Sequence, residues 1–98
     1  MGEREGAQPK RLQVQIDDVK AQGVYANLTM ISQTENEFVL DFVFLQPGNA
    51  GAKVQSRVVM APRQAKRLVH ALGEAIGHHE KLFGELSLSS APGDKRVH

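Results

Sequence analysis

Polar and apolar residues alternate in stretches between Arg11 and Met60, and the period changes after Pro62. Leu12, Val14 and Ile16 alternate with Arg11, Gln13, Gln15 and Asp17, the two-residue period of a strand with one buried face. Asp17, Asp18 and Gly23 then read as a turn. Val24 to Ser32 is a second extended run, with Val24, Ala26, Leu28 and Met30 on one side. The polar link Gln33–Thr34–Glu35–Asn36 suits a hairpin turn. Phe38 to Leu45 is the strongest strand, with Phe38, Leu40, Phe42 and Phe44 on one face. Val39, Asp41, Val43 and Leu45 occupy its other face. Pro47 to Gly51 reads as a turn, and Lys53 to Met60 as a further strand. In that strand Val54, Ser56, Val58 and Met60 oppose Lys53, Gln55, Arg57 and Val59.

Pro62 fits the first position of a helix, where its missing N–H has no cost. Ala65, Leu68, Val69, Leu72, Ile76 and Phe83 then form one stripe of helical period, and Gly84 is a stop signal. Gly73 and Gly77 each cost about 1 kcal/mol relative to alanine in a helix interior. Close packing against a strand or a partner helix would account for both. The expected fold is therefore α+β: an antiparallel meander of about four strands, then one long C-terminal helix packed on one face. Residues 1–10 and 87–98 read as disordered arm and tail around a single domain at 11–86.

A strand apolar on both faces wants cover on both. One helix covers one face of a sheet, so a second copy of the chain is the simplest cover for the other. The expected oligomer or partner face is Val39, Asp41, Val43, Leu45, Arg57 and Val59. Asp41 is the lone carboxylate in the most apolar strand, and Arg57 on the neighbouring strand is its expected partner.

Length sharpens this expectation. A chain of 98 residues with no cysteine has one small core and no disulfide to reinforce it. Lack of cysteine also excludes thiol catalysis and thiolate metal sites, and fits a cytoplasmic location. The first ten residues are polar with no apolar core, so no signal peptide is expected. No run approaches the ~20 apolar residues of a membrane span. The formal net charge of +1 gives no overall drive towards nucleic acid or acidic lipid.

Two clusters could carry chemistry. Arg63, Lys66 and Arg67 crowd the start of the helix, where the macrodipole prefers acids, and Ala61 offers no capping oxygen. Free N–H groups beside these cations form a candidate anion-binding site for phosphate or carboxylate. Pairing with Glu35, Glu37 or Asp41, or plain solvation, is the plainer reading. His70, Glu74 and His78 follow one another at four-residue steps along one helix face, a spacing seen in metal ligands. A solvated or interface-facing helix edge is the plainer reading, so no metal and no cofactor is expected. No nucleophile elbow, phosphate loop or dinucleotide fingerprint is present, and no enzyme is expected.

The pieces YANLTMI, EFVLDFVFLQP, KVQSRVVMAPRQAKRLVHAL and HEKLFGEL, between Tyr25 and Leu86, resemble a family of short prokaryotic proteins, domain of unknown function number 3467. The run Arg57 to Leu72 is the most specific part. The resemblance implies no catalytic or binding residues. Its pattern has tyrosine before the glutamate near the helix end, where this chain has His79 before Glu80. At the level of architecture alone, strands followed by a helix also resemble the bacterial export chaperone SecB.

Three functions follow, in descending order. The first is a non-enzymatic homo-oligomeric interaction module, a homodimer being the first choice. The second is a SecB-like chaperone or adaptor that binds apolar client segments. The third is a binder of nucleic acid or phosphate ligands through Arg63, Lys66 and Arg67, with Lys53 and Arg57. The third is weakened by a single tyrosine, Tyr25, and no tryptophan for base stacking.

Overall fold

The computed structural model describes residues 12–49 and 51–88. The expected arm at 1–10 lies outside the described residues, as does the tail beyond residue 88. The described chain is α+β, with α1 (Asp18–Gln22), β1 (Leu28–Gln33), β2 (Phe38–Leu45), β3 (Ala52–Met60) and α2 (Pro62–Phe83).

The three strands form an antiparallel meander in the order β1-β2-β3, with β2 in the centre. The short links dictate this topology. Between β1 and β2, Thr34 N donates to Glu37 O at 2.8 Å, and Thr34 Oγ1 accepts from the N–H groups of Asn36 and Glu37 at 3.2 Å. Between β2 and β3, a 3-10 turn at Pro47–Asn49 leads to Gly51, whose carbonyl accepts Gln46 N at 3.0 Å. Gly48 sits there at φ 73°, a left-handed conformation that favours glycine.

The fourth strand expected at Leu12 to Ile16 is absent from this sheet. Residues 12–17 lie in no ladder, and Leu12, Val14 and Ile16 are exposed, Val14 at 82%. Their alternation is real, but no sheet edge of the protomer meets them. The turn expected at Asp17–Gly23 is instead helix α1. Asp17 caps it by accepting Lys20 N at 2.7 Å, and an Nζ–Oδ2 ion pair of 3.2 Å joins the same two residues. The extended run from Val24 enters the ladder at Leu28.

Strand β3 also departs from simple alternation. Ser56 faces Phe42 and Val54 faces Val43, which leaves Gln55 as the extra residue of a β-bulge. Val54 therefore shares a face with Val43, while Val58 shares the opposite face with Leu40. The expectation that Val54, Ser56 and Val58 line one face fails at this bulge.

Pro62 opens α2 and Gly84 ends it at φ 100°, with Gly84 N donating to Glu80 O at 2.9 Å. Ala61 is the N-cap and makes no side-chain cap bond. The helix was expected to cover one face of the sheet. It does not: α2 buries no residue, and Ala65 and Leu68 near its start are half-buried. Val69, Leu72, Ile76 and Phe83 are exposed, Phe83 at 73%. Among the described residues the buried apolar core is Leu40, 6% exposed, and Val43, 2% exposed. Leu40 lies between Ile31 and Val58 on one face, and Val43 between Leu28 and Val54 on the other.

Candidate self-association surface

Cross-strand register places Val39, Asp41, Val43, Leu45, Arg57 and Val59 on one face of the sheet. Val39 stands opposite Val59, and Asp41 opposite Arg57. Val43 is 2% exposed in the protomer and so offers no surface to a partner. Val39, Asp41 and Leu45 are half-buried, while Arg57 and Val59 are exposed. Met30, paired with Asp41, and Val54 extend this face with exposed apolar side chains. The other face exposes Ile31 and Val58 on either side of Leu40. Neither face is sealed within the protomer.

Asp41 and Arg57 form the pair expected from the sequence. Arg57 Nε donates to Asp41 Oδ1 at 2.7 Å, and Nη2 donates to Oδ2 at 3.0 Å. Asp41 has a side-chain exposure of 15% against 64% for Arg57, so the acid is sheltered and its partner reaches over it from solvent. The hydrogen bonds from Arg57 hold the Asp41 carboxyl below its ordinary range, and the same contact raises Arg57. Arg57 is thereby committed to the sheet and is withdrawn from the basic set proposed for nucleic acid.

Other contacts fix the end of the sheet near Leu45. Asn27 Oδ1 accepts Leu45 N at 2.8 Å, and Asn27 Nδ2 donates to Leu45 O at 3.1 Å. Tyr25 packs edge-on against Phe44, with ring centroids 6.0 Å apart, and its carbonyl accepts Gln55 Nε2 at 3.4 Å. The chain ahead of β1 thus crosses the end of the sheet from β1 past β2 to the bulge in β3. Sequence reasoning missed Asn27; an asparagine in an extended run carries no signal for a main-chain partner eighteen residues away.

The basic cluster stays on the surface. Arg63, Lys66 and Arg67 line an open hollow with Ala61, Pro62 and Gln64. All six belong to the helix start and its cap, and no second element closes the hollow. Among the described residues, no ion pair joins these three cations to a carboxylate, so the expected pairing with Glu35, Glu37 or Asp41 does not form. His70, Glu74 and His78 face solvent, with the two histidines about 12 Å apart along the axis at 1.5 Å per residue. No group of three or more His, Asp or Glu among the described residues is placed to share a metal ion. No helix among them is long and apolar enough to cross a membrane.

At the far end of α2, the His79 ring packs against the Phe83 ring, with centroids 4.8 Å apart and planes tilted by 49°. Glu80 Oε2 accepts Leu86 N at 2.9 Å and holds the chain beyond Gly84 against the last turn. An added Cβ at Gly73 or Gly77 meets nothing within 4 Å, so neither glycine is explained by packing inside the protomer.

A family model described as Protein of unknown function (DUF3467) matches residues 1–88. The chain belongs to the DUF3467 family. This match spans all the segments on which the resemblance was read, from Tyr25 to Leu86. The DUF3467 description assigns no activity, so no residue role passes to this chain from it. No curated protein matches the chain, and no solved structure matches it. What the DUF3467 chain does must therefore be argued from its own exposed surfaces.

Proposed function

We propose that this DUF3467 chain is a non-enzymatic, homo-oligomeric interaction module whose smallest assembly is a dimer. The observation that carries this reading is the exposed stripe of α2 beside a sheet that leaves Met30, Ile31, Val54, Val58 and Val59 exposed. The exposed aliphatic and aromatic side chains of residues 12–16, the sheet and the helix, among them Met30, Ile31, Val69, Leu72 and Phe83, are the apolar surface that a partner would cover. A stripe that one chain leaves bare while a second chain carries the same stripe is the condition for a twofold interface.

Size-exclusion chromatography with light scattering at micromolar concentration tests the reading. The expected mass is twice that of the chain or a higher multiple. A monomer mass with native strand and helix content by circular dichroism overturns it. The SecB-like reading parts from this one at the same bench. An assembled protein that still binds an apolar dye in its native state has surface left for client segments, and an assembly silent to the dye has used that surface on itself.

A further inference from the structure

The stripe of α2 is more regular than a general amphipathic face. Ala65, Val69, Leu72, Ile76, His79 and Phe83 follow one another at alternating steps of four and three residues. That is the 3.5-residue period of a coiled-coil seam, and His79 fills the seven-residue gap between Ile76 and Phe83. The packing of the His79 ring on the Phe83 ring shows these two sharing the seam. Val69, Leu72 and Ile76 give the seam a continuous aliphatic centre. At 1.5 Å per residue the seam runs about 27 Å.

We infer that α2 packs antiparallel against α2 of a second copy, with the twofold axis beside Gly73 and Glu74. The inference rests on the self-association proposed above and specifies its surface and direction. Three features of the helix set the direction. In the antiparallel register Ala65 meets the partner's Phe83, Val69 meets the partner's His79, and Leu72 meets the partner's Ile76. The two outer layers then each join a smaller side chain to a larger one, and the central layer pairs the isomers leucine and isoleucine, which fills space at both ends. A parallel pair would stack Phe83 on its own copy at one end and leave two alanines facing at the other.

Charge agrees with size. On one flank of the seam lie Lys66, Gly73 and Glu80; on the other lie Leu68, Ala75 and Leu82. Antiparallel helices bring like flanks together, so Lys66 meets the partner's Glu80 at both ends of the dimer. A parallel pair gives Lys66 no acid. The apolar flank meets its own copy and covers Leu82, which is exposed in the protomer. Gly73 lies at the axis, and the open space over it lets two backbones approach closely.

Because the chain has no cysteine, introduced thiols are the sole ones and report the direction directly. The double variant Ala65→Cys/Phe83→Cys is expected to form an intermolecular disulfide dimer under mild oxidation. The two thiols of one helix lie too far apart to pair with each other. Ala65→Cys and Phe83→Cys as single variants are expected to stay uncross-linked. Cross-linking of the single variants as readily as the double overturns the antiparallel direction. No cross-linking in any variant, with light scattering still reporting a dimer, overturns the helix seam and leaves self-association by another surface. A monomeric parent chain removes both proposals.

A second arm keeps the test independent of losing Phe83. Lys66→Glu and Glu80→Lys are each expected to weaken the dimer severalfold, and together to restore it but for the bond to Leu86 N that Glu80→Lys also removes. Losses that add without restoration overturn the pairing.

Discussion

Asp41 and Arg57 face each other across the β2–β3 ladder and are joined at two points, Nε to Oδ1 and Nη2 to Oδ2. The fork matches the planar guanidinium to the carboxylate and fixes the register of β3 between its bulge and its end. It also makes the sheet sensitive to acid. Arg57 holds the folded Asp41 carboxyl below its ordinary value of 3.8. The unfolded chain therefore takes up this proton first as pH falls. Stability from the pair is fully present above the ordinary value and is lost as pH drops through the depressed folded one. Urea midpoints measured against pH should show Asp41→Asn less stable than the parent at neutral pH. The gap should narrow in acid. A gap that stays constant to the acid limit would mean that the pair is not the source of the difference.

Asn27 gives a prediction that does not depend on pH. Its carboxamide satisfies both main-chain groups of Leu45 near the end of β2, where β1 has not yet entered the ladder. Asn27→Ala strands that N–H and carbonyl in a part-buried place, at a cost of about 1–3 kcal/mol. Asn27→Asp keeps the acceptor for Leu45 N but sets a carboxylate oxygen against Leu45 O. Both variants should lower the thermal midpoint. A neutral Asn27→Ala would show that water replaces the carboxamide without loss.

The parts of the fold that proved legible in the sequence are those set by local chemistry. The apolar run Phe38 to Leu45, Pro62 at the helix start and Gly84 at its end each need neighbours within a few residues. What escaped depends on partners far along the chain. Leu12, Val14 and Ile16 alternate like a strand, but alternation says which side chains want cover and not whether a sheet edge is within reach. The stripe of α2 likewise states a need for burial without naming the surface that meets it. The bulge at Gln55 moved Val54 to the other face with no glycine to announce it. The candidate surface was half legible. The Asp41–Arg57 pair could be placed by counting strands, whereas nothing in the stripe of α2 says whether the sheet or another surface covers it.

The uncapped start of α2 predicts a gain in stability. Ala61 leaves the first N–H groups without a side-chain acceptor, and no acid sits in the first turn. Ala61→Asp supplies a capping oxygen and a negative charge at the positive end of the dipole, beside Arg63 and Lys66. The expected gain is about 1 kcal/mol. Chemical denaturation followed by helix signal measures it. An unchanged midpoint would show those groups already satisfied, for instance by an anion held there by the basic cluster, and repeating the titration after exhaustive dialysis separates that case.

The last prediction asks where the stability of the protomer lies. Leu40 is buried between Ile31 and Val58, so Leu40→Ala removes packed surface and leaves a cavity, at about 2–5 kcal/mol. Val14 is apolar and strand-like in sequence but lies in no ladder, so Val14→Lys should change stability by less than about 0.5 kcal/mol. The two substitutions separate hydrophobic character from burial, because each acts on a branched aliphatic residue. Urea unfolding of both variants and of the parent, at one protein concentration, decides the matter. A Val14→Lys cost near that of Leu40→Ala would mean that Leu12 to Ile16 pairs with a sheet edge in solution. Repeating the measurement at a tenfold higher concentration then tells whose edge it is: a cost that changes with concentration belongs to an edge of the second copy, and one that does not belongs to the same chain.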